Sequence, residues 1–512
     1  MASGSGVIAV LDFSTSGGKC VLFDAQGRCL AAAREAWTYD PYLHEHSALA
    51  AGWSFAPDRF WAALVRSTRA ALRQAGLPGE AICAVTASSL RIGTVLLDGA
   101  GRELFCAPNV DVSGLAGGFE IMARLEEARG NEITGHWPPW IWSLARLLAF
   151  HGRHPEQTVA AVLTPLDWIT WRLCGALVTE PSIQGPTGLL DVSRANWSDE
   201  ICDLFDLDRS LLPKLVPGGS RAGELSPAAA ADLGLRPGTP VHVGGADSQC
   251  ALLGSGVRTA EDCGAVLGTT APLMRVDARP RVTASGPLWT GTHVLPGLWV
   301  RESNAGEAGA VWDWLLDLTG FELPGDFERA ERLVGPLARA PSAIVGFSGP
   351  RAFGPNTTNP DRPLGFAFRH STYAKRPGRA EILHSFQDNL AFALRVNLEQ
   401  LAIETEVEGS RPQGLTLSGG LVRSSSLLAT MAAVLPEPLR VGEEPNATPL
   451  GAAVLTAAAS GIHPSLDAAL AAMVRTRVLP PPPDDLRAAY DEAFALWQRF
   501  DAAVNPLSLR VP

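Results

Sequence analysis

The sequence predicts an α/β fold in two domains, on three observations. Its 512 residues exceed the size at which a single hydrophobic core stops growing. Apolar runs of strand length, punctuated by Gly- and Asp-bearing turns, alternate with amphipathic stretches of helical period. A short apolar strand running into an Asp among small residues occurs in "IAVLDFSTSGGK" (8–19) and again in "PVHVGGADSQCALLGSGV" (240–257), which suggests a structural duplication. The Pro/Gly break of "LRPGTP" puts the expected boundary at Arg236–Thr239, giving domains 1–239 and 240–512.

The elements follow in order. "IAVLD", "CVLFD" and "CLAAAREAW" read as a three-stranded antiparallel meander joined by two tight turns. "DRFWAALVRSTRAALRQAGL" (58–77) has helical spacing and ends near a Gly. "AICAVTASS" is a buried strand, and "GTVLLDGAGREL" pairs strand, turn and strand. In the second half, 240–257 and "DCGAVLGTTAPLMRV" (262–276) are expected to repeat the strand–turn–strand series. Residues 380–403 form a long amphipathic helix, and "GLTLSGGLVRSSSLLATMAAVL" (414–435) is strand, Gly-Gly turn and helix. "TPLGAAVLTAAASG" (448–461) is a helix whose small side chains suit close backbone packing. Four prolines (480–483) space it from a final amphipathic helix.

Hydrophobic content of 46% with 19% charged residues describes an ordinary globular enzyme. A net charge of -11 offers no basic surface to nucleic acid or an anionic membrane. The eight cysteines show no CxxC or metal-finger spacing, as expected of reduced thiols in the cytoplasm. The opening "MASGSGVIAV" lacks the basic and apolar segments of a signal peptide, and no apolar run is long enough to span a membrane. Lysine occurs only at 19, 214 and 375, a matter of composition that makes Lys19 a weak hint.

Two readings fit the opening loop: a Ser/Gly-rich hairpin, or a phosphate loop with Asp12 beside a metal-bound nucleotide. Neither a Walker nor a dinucleotide-binding glycine pattern is present. Phosphate contact without one calls for small residues and donors, which Ser14, Thr15 and Ser16 supply in the first half and Gly268, Thr269 and Thr270 in the second. Asp247, delivered by a strand after two glycines, has the placement of a general base, though a solvated turn Asp looks the same in sequence. Gly419 and Gly420 sit where a strand meets a helix, suited to a nucleotide lying on backbone; Ser424 either caps that helix or touches the nucleotide. "HEH" (44–46) is read as solvated, Trp137, Trp140 and Trp142 as packing or sugar stacking, and Asn196-Trp-Ser198 as without consequence.

Taken in order, "VLDFSTSGGKCVLFDAQGRCL", "RIGTVLLDGAGREL", "PTGLLDVSRANW", "GTPVHVGGADSQCALLGSGV", "LGTTA" and "LSGGLVRSSSLLATMAAVL" with "EEPNATPLGAAVLTAAASG" resemble the FGGY carbohydrate kinase family. That resemblance implies two ribonuclease H-like, actin-type domains with a nucleotide and substrate cleft between them. It implies Asp247 as catalytic base, Mg²⁺ near Asp12 and Asp247, and ATP on Gly268, Thr269, Gly309, Gly419 and Gly420. The acceptor is then a small sugar, ketose or polyol, and a homodimer is expected by analogy. "SSLRIGTVLLD" and "FCAPNVDVSG" resemble autoinducer-2 kinases more than xylulokinases, with Arg91, Ile92 and Asp111 on the substrate.

Four departures stand out. Ser14 replaces a usual Gly, Ile92 a polar residue, Ser113 the Arg of the family's Asn-Asp-x-Arg block, and Phe55 a frequent Glu. They allow an altered sugar, or a degenerate member that binds sugar or nucleotide with weak or no turnover. An interaction ATPase of the Hsp70 or actin type has no need of the Gly-Gly-Ala-Asp block.

Overall fold

The computed structural model describes residues 6–43, 51–260, 262–282, 288–322, 326–342, 344–347, 366–368, 377–403 and 414–504. The chain divides into two compact units, Met1–Thr259 with Asp277–Val300 and Asn446–Arg475, and Ala260–Val276 with Arg301–Pro445 and Thr476–Pro512.

The sheet of the first unit contains β1 (Val7–Ser14), β2 (Gly17–Phe23), β3 (Cys29–Ala36), β4 (Ile82–Ser89), β5 (Arg221–Glu224) and β6 (Pro240–Ala246). Its order is β5-β6-β4-β1-β2-β3. The meander is antiparallel as expected, while β4 runs parallel to β1 and β6 parallel to β4. β1 is buried on both faces, which is why it reads as a continuous apolar run. One face packs with Phe55, Phe60 and Trp168, the other with Leu450, Val454 and Leu470.

In the second unit, β7 (Cys263–Val266), β8 (Thr270–Asp277), β9 (Trp299–Glu307), β10 (Leu415–Ser418), β11 (Leu439–Gly442) and β12 (Thr476–Val478) follow the order β9-β8-β7-β10-β11-β12. β7 pairs antiparallel with β8 and parallel with β10. Each unit therefore builds a hairpin and adds a parallel strand to its first strand; the repeat of β1–β2 is β7–β8, not the 240–257 strand that suggested it.

Its boundary needs correcting. β6 is hydrogen-bonded between β4 and β5, so 240–259 belongs to the first unit and the second begins at Ala260. The Pro/Gly break is a surface turn inside that unit. A second correction concerns Asp247, which opens a helix (Asp247–Gly254) where a strand-end turn was expected.

The Ala-rich stretch forms a helix over Ala447–Ala459 and explains its own composition. A Cβ at Gly451 would lie 1.9 Å from the Cys250 carbonyl oxygen, and one at Gly254 2.0 Å from that of Ala447. Backbone thus meets backbone where this helix crosses the one carrying Asp247. Gly451→Ala is expected to cost about 3 kcal/mol in denaturant unfolding, as overpacking against an unyielding backbone does. Gly152→Ala, a helical site with nothing within 4 Å, should instead stabilise by about 0.5–1 kcal/mol. Among the described residues, no helix is long and apolar enough to cross a membrane.

Candidate active site

Strand register builds the first half of the site. Asp12 lies opposite Lys19 on β2 and Ser88 on β4. Its buried carboxylate accepts from Ser88 Oγ at 2.8 Å and stands 3.9 Å from Lys19 Nζ. Burial raises its pKa against the lowering pull of Lys19, Ser88 and Arg34. Lys19 Nζ also donates to Asn446 Oδ1 at 3.2 Å.

The turn beyond Asp12 is organised by its own hydroxyls. Ser14 Oγ donates to the Gly17 carbonyl at 2.7 Å, so the extra CH₂OH at this position is folded into the turn. Thr15 Oγ1 accepts from Asn109 Nδ2 at 3.0 Å, and Ser16 Oγ from Arg34 Nη2 at 2.7 Å. In these contacts Thr15 and Ser16 are acceptors, which leaves the donor capacity of each hydroxyl for an incoming oxygen. A Cβ on Gly18 would meet the Trp37 ring at 2.6 Å, so the small residues serve close packing as well.

Asp247 is placed from β6. A Cβ on Gly244 would lie 1.7 Å from the Ala87 carbonyl oxygen, and one on Gly245 2.7 Å from Val294 Cγ1; both glycines let β6 press against its neighbours. Ser182 Oγ accepts from the Ala246 amide at 3.2 Å and itself donates to the buried Glu180 carboxylate. Asp247 Oδ1 accepts from Ser248 N at 2.7 Å and Ser248 Oγ at 3.0 Å, and Thr448 Oγ1 donates to the Asp247 carbonyl at 3.1 Å. Asp247 keeps a solvent-accessible face, yet dense protein around it desolvates the carboxyl. Burial pushes its pKa up to about 6, opposed by Arg91, reinforced by the Asp12 charge and lowered by Ser248. That value suits proton transfer near neutrality.

Arg91 lies with its guanidinium carbon 6.0 Å from the Trp289 ring centre, and Trp289 packs on His136 at 4.8 Å. Burial lowers the His136 pKa to about 3, so this imidazole is neutral, with Nδ1 2.7 Å from the Thr134 carbonyl. Ile92 has φ +71°, an outlier for a β-branched residue. Asp111 departs from its expected substrate role. Fully buried, it accepts from Trp53 N (2.9 Å), Ser113 N (3.2 Å), Ser113 Oγ (2.7 Å) and Arg146 Nε (3.0 Å), which fills a carboxylate's four acceptor positions. Arg146, from the helix Ser143–Arg153, supplies the guanidinium missing at Ser113.

In the second unit, Gly268, Thr269, Gly309, Gly419 and Gly420 come together. The Gly309 amide donates to the Gly268 carbonyl at 2.9 Å and the Ala308 amide to that of Thr269 at 2.8 Å, at the start of the helix Gly309–Leu318. A Cβ on Gly309 would lie 2.6 Å from the Gly268 oxygen. Gly419 has φ +96°, and a Cβ there would meet the Leu267 oxygen at 2.6 Å, so only glycine fits. Thr269 and Thr270 are exposed at the hairpin tip. Ser424 is a cap: its Oγ accepts from Leu427 N at 3.1 Å and donates to Glu331 at 2.7 Å, the capping alternative of the two expected for it.

Phe55 packs on Phe13, Phe60 and Trp168, which accounts for an apolar residue at that position. Trp137 and Trp142 are core residues and Trp140 packs on Phe119; Ser198 caps the helix Asp199–Leu204. "HEH" (44–46) lies outside the described residues. Sequence reasoning missed Ser88, His136, Trp289 and Asn446. Asn446, inside "EEPNATPLG", and Ser88, which opens "SSLRIGTVLLD", lay within family-like blocks and carried a usable signal.

Comparison with known proteins matches residues 7–254 to the N-terminal domain and 263–460 to the C-terminal domain of the FGGY family of carbohydrate kinases. An autoinducer-2 kinase of Yersinia enterocolitica is 28% identical over 518 residues, covering 96% of this chain and 93% of its own. One from Escherichia coli strain K12 is 26% identical over 510 residues, with the same coverage of 96% and 93%. Among solved structures, xylulose kinase from Rhodospirillum rubrum superposes with a TM-score of 0.79 at 21% identity, covering 98% of this chain and 100% of that one. Plasmodium falciparum glycerol kinase with ADP gives 0.78 at 17% identity, covering 99% and 98%.

Proposed function

Since the chain belongs to the FGGY family of carbohydrate kinases, we propose that it transfers the γ-phosphoryl of Mg-ATP to a hydroxyl of a small sugar, ketose or polyol. Asp247 is the base that takes the acceptor proton, and Arg91 is the cation beside it. The observation that carries this reading is the pair of desolvated carboxylates, Asp12 and Asp247, with the charge of one raising the pKa of the other.

Those two residues fit a divalent cation, because a positive charge between them relieves both desolvation and repulsion. Bound there with the nucleotide, Mg²⁺ supplies neutralisation of phosphate charge. Asp12 and Asp247 would hold it, and Thr15 and Ser16 would offer hydroxyl donors to phosphate oxygens. Within the second unit, Gly268, Thr269, Gly309, Gly419 and Gly420 present bare backbone that would suit a nucleotide. Ser14, Phe55 and Ser113 each have a structural explanation, so three of the four departures weigh less for loss of turnover.

Among acceptors, the relatives named autoinducer-2 kinases support an autoinducer-2-like substrate, with a pentulose as the alternative. Ile92 offers no hydrogen bond to a hydroxyl, so it bears on which acceptor is taken without ranking these two. Coupled ADP release across ketoses, polyols and dihydroxypentanedione is the test. One substrate should give turnover, and its kcat/KM should rise tenfold per pH unit below about pH 6 and level off above, as Asp247 loses its proton. Sugar or nucleotide binding without ADP release from any of them would identify a binding-only member instead.

A further inference from the structure

The loop between β4 and the strand Thr94–Leu97 carries Arg91 and Ile92, and it is held in a conformation that its sequence resists. At φ +71° the Ile92 side chain crowds its own backbone. Such a residue persists only where its surroundings over-determine it. On one side the Leu90 amide donates to the Phe13 carbonyl at 2.8 Å. On the other, Gly93 passes so near Pro165 that a Cβ would lie 2.4 Å from its ring. Between these anchors, Arg146 Nη1 donates to the Ile92 carbonyl.

All five N–H donors of Arg146 are used. Nη1 also reaches Thr94 Oγ1 at 3.2 Å, Nη2 the carbonyls of Pro108 (3.0 Å) and Asp111 (2.7 Å), and Nε the Asp111 carboxylate (3.0 Å). The guanidinium is completely buried and so is its partner Asp111. One planar group thereby ties the 90–94 loop to the 108–113 loop and to its own helix.

We propose that Arg146 is a positioning residue for the acceptor site: its grip on the Ile92 carbonyl locks the left-handed turn and with it the placement of Arg91 and Ile92. This rests on the reading of Arg91 and Ile92 as acceptor-site residues.

Lysine at 146 keeps the charge beside Asp111 but lacks the fork that also reaches Ile92. Arg146→Lys is therefore expected to raise the sugar KM about tenfold with a smaller change in kcat. Adding Ile92→Gly, which adopts φ +71° unaided, should return KM toward its wild-type value. A purely structural arginine would instead lower Tm in Arg146→Lys with KM unmoved, and that result, or a double variant whose KM stays raised, overturns the proposal.

If Arg146→Lys does not fold, the Ile92→Gly and Ile92→Ala variants decide. Gly should melt a few degrees above Ala, and Ala should carry the higher sugar KM; the reverse order refutes a strained, held loop. Turnover that survives Asp247→Asn would sink the base assignment, whereas the KM and Tm comparisons judge Arg146 independently of it.

Discussion

Asp247→Asn is expected to lower kcat by about 10³-fold while ATP still binds, and to raise Tm at pH 8 by a few degrees. The first effect follows from losing a positioned base, worth about 10²–10⁴-fold. The second follows from the same burial that tunes the base. A carboxyl with a folded pKa of about 6 against 3.8 when unfolded contributes stability that is full below pH 4 and is lost as pH rises through 6. Above that, the ionised group is a net cost on the order of 3 kcal/mol, and a neutral amide avoids it. Single-turnover kinetics, nucleotide calorimetry and melting curves at pH 5 and pH 8 check the three parts. The Tm gain should be large at pH 8 and small at pH 5. Full turnover in the Asn variant would refute the assignment.

Asp12→Asn is the second large effect. We expect turnover to fall by about 10²–10³-fold, as several kcal/mol of metal-borne charge stabilisation is lost. Calorimetry should show ADP binding less improved by Mg²⁺ than in the wild type, with ADP alone bound as before. Removing the Asp12 charge also relieves Asp247, so the acid limb of the residual activity should move below pH 6. A limb that stays in place, together with an unchanged response to Mg²⁺, would separate Asp12 from both the metal and the base.

How far the chain could be read without coordinates depends on how local each signal is. Asp12 and its turn were readable because strand, small-residue turn and returning strand are contiguous. The cap at Ser424 was readable for the same reason. At Asp247 the helix was not, since "DSQCALLGSGV" is a short apolar run that either period accommodates. The domain boundary failed because β6 pairs with β4 instead of opening a new sheet, and because 277–300 and 446–475 rejoin the first unit, and no local pattern announces which core a returning segment will enter. Asp111 was misread for a related reason. Its arginine sits on a separate helix, far along the chain from Ser113, so the pairing exists only in three dimensions.

That returning helix has a consequence during synthesis. Residues 446–475 complete the core beneath β1 and seat the helix that bears Asp247. At ribosomal speeds of roughly 5–20 residues per second, the nascent first unit waits tens of seconds with that apolar seam uncovered while the second is being made. Chaperone demand should therefore fall on a half-finished N-terminal body, and a chain stopped at 445 should aggregate through the seam.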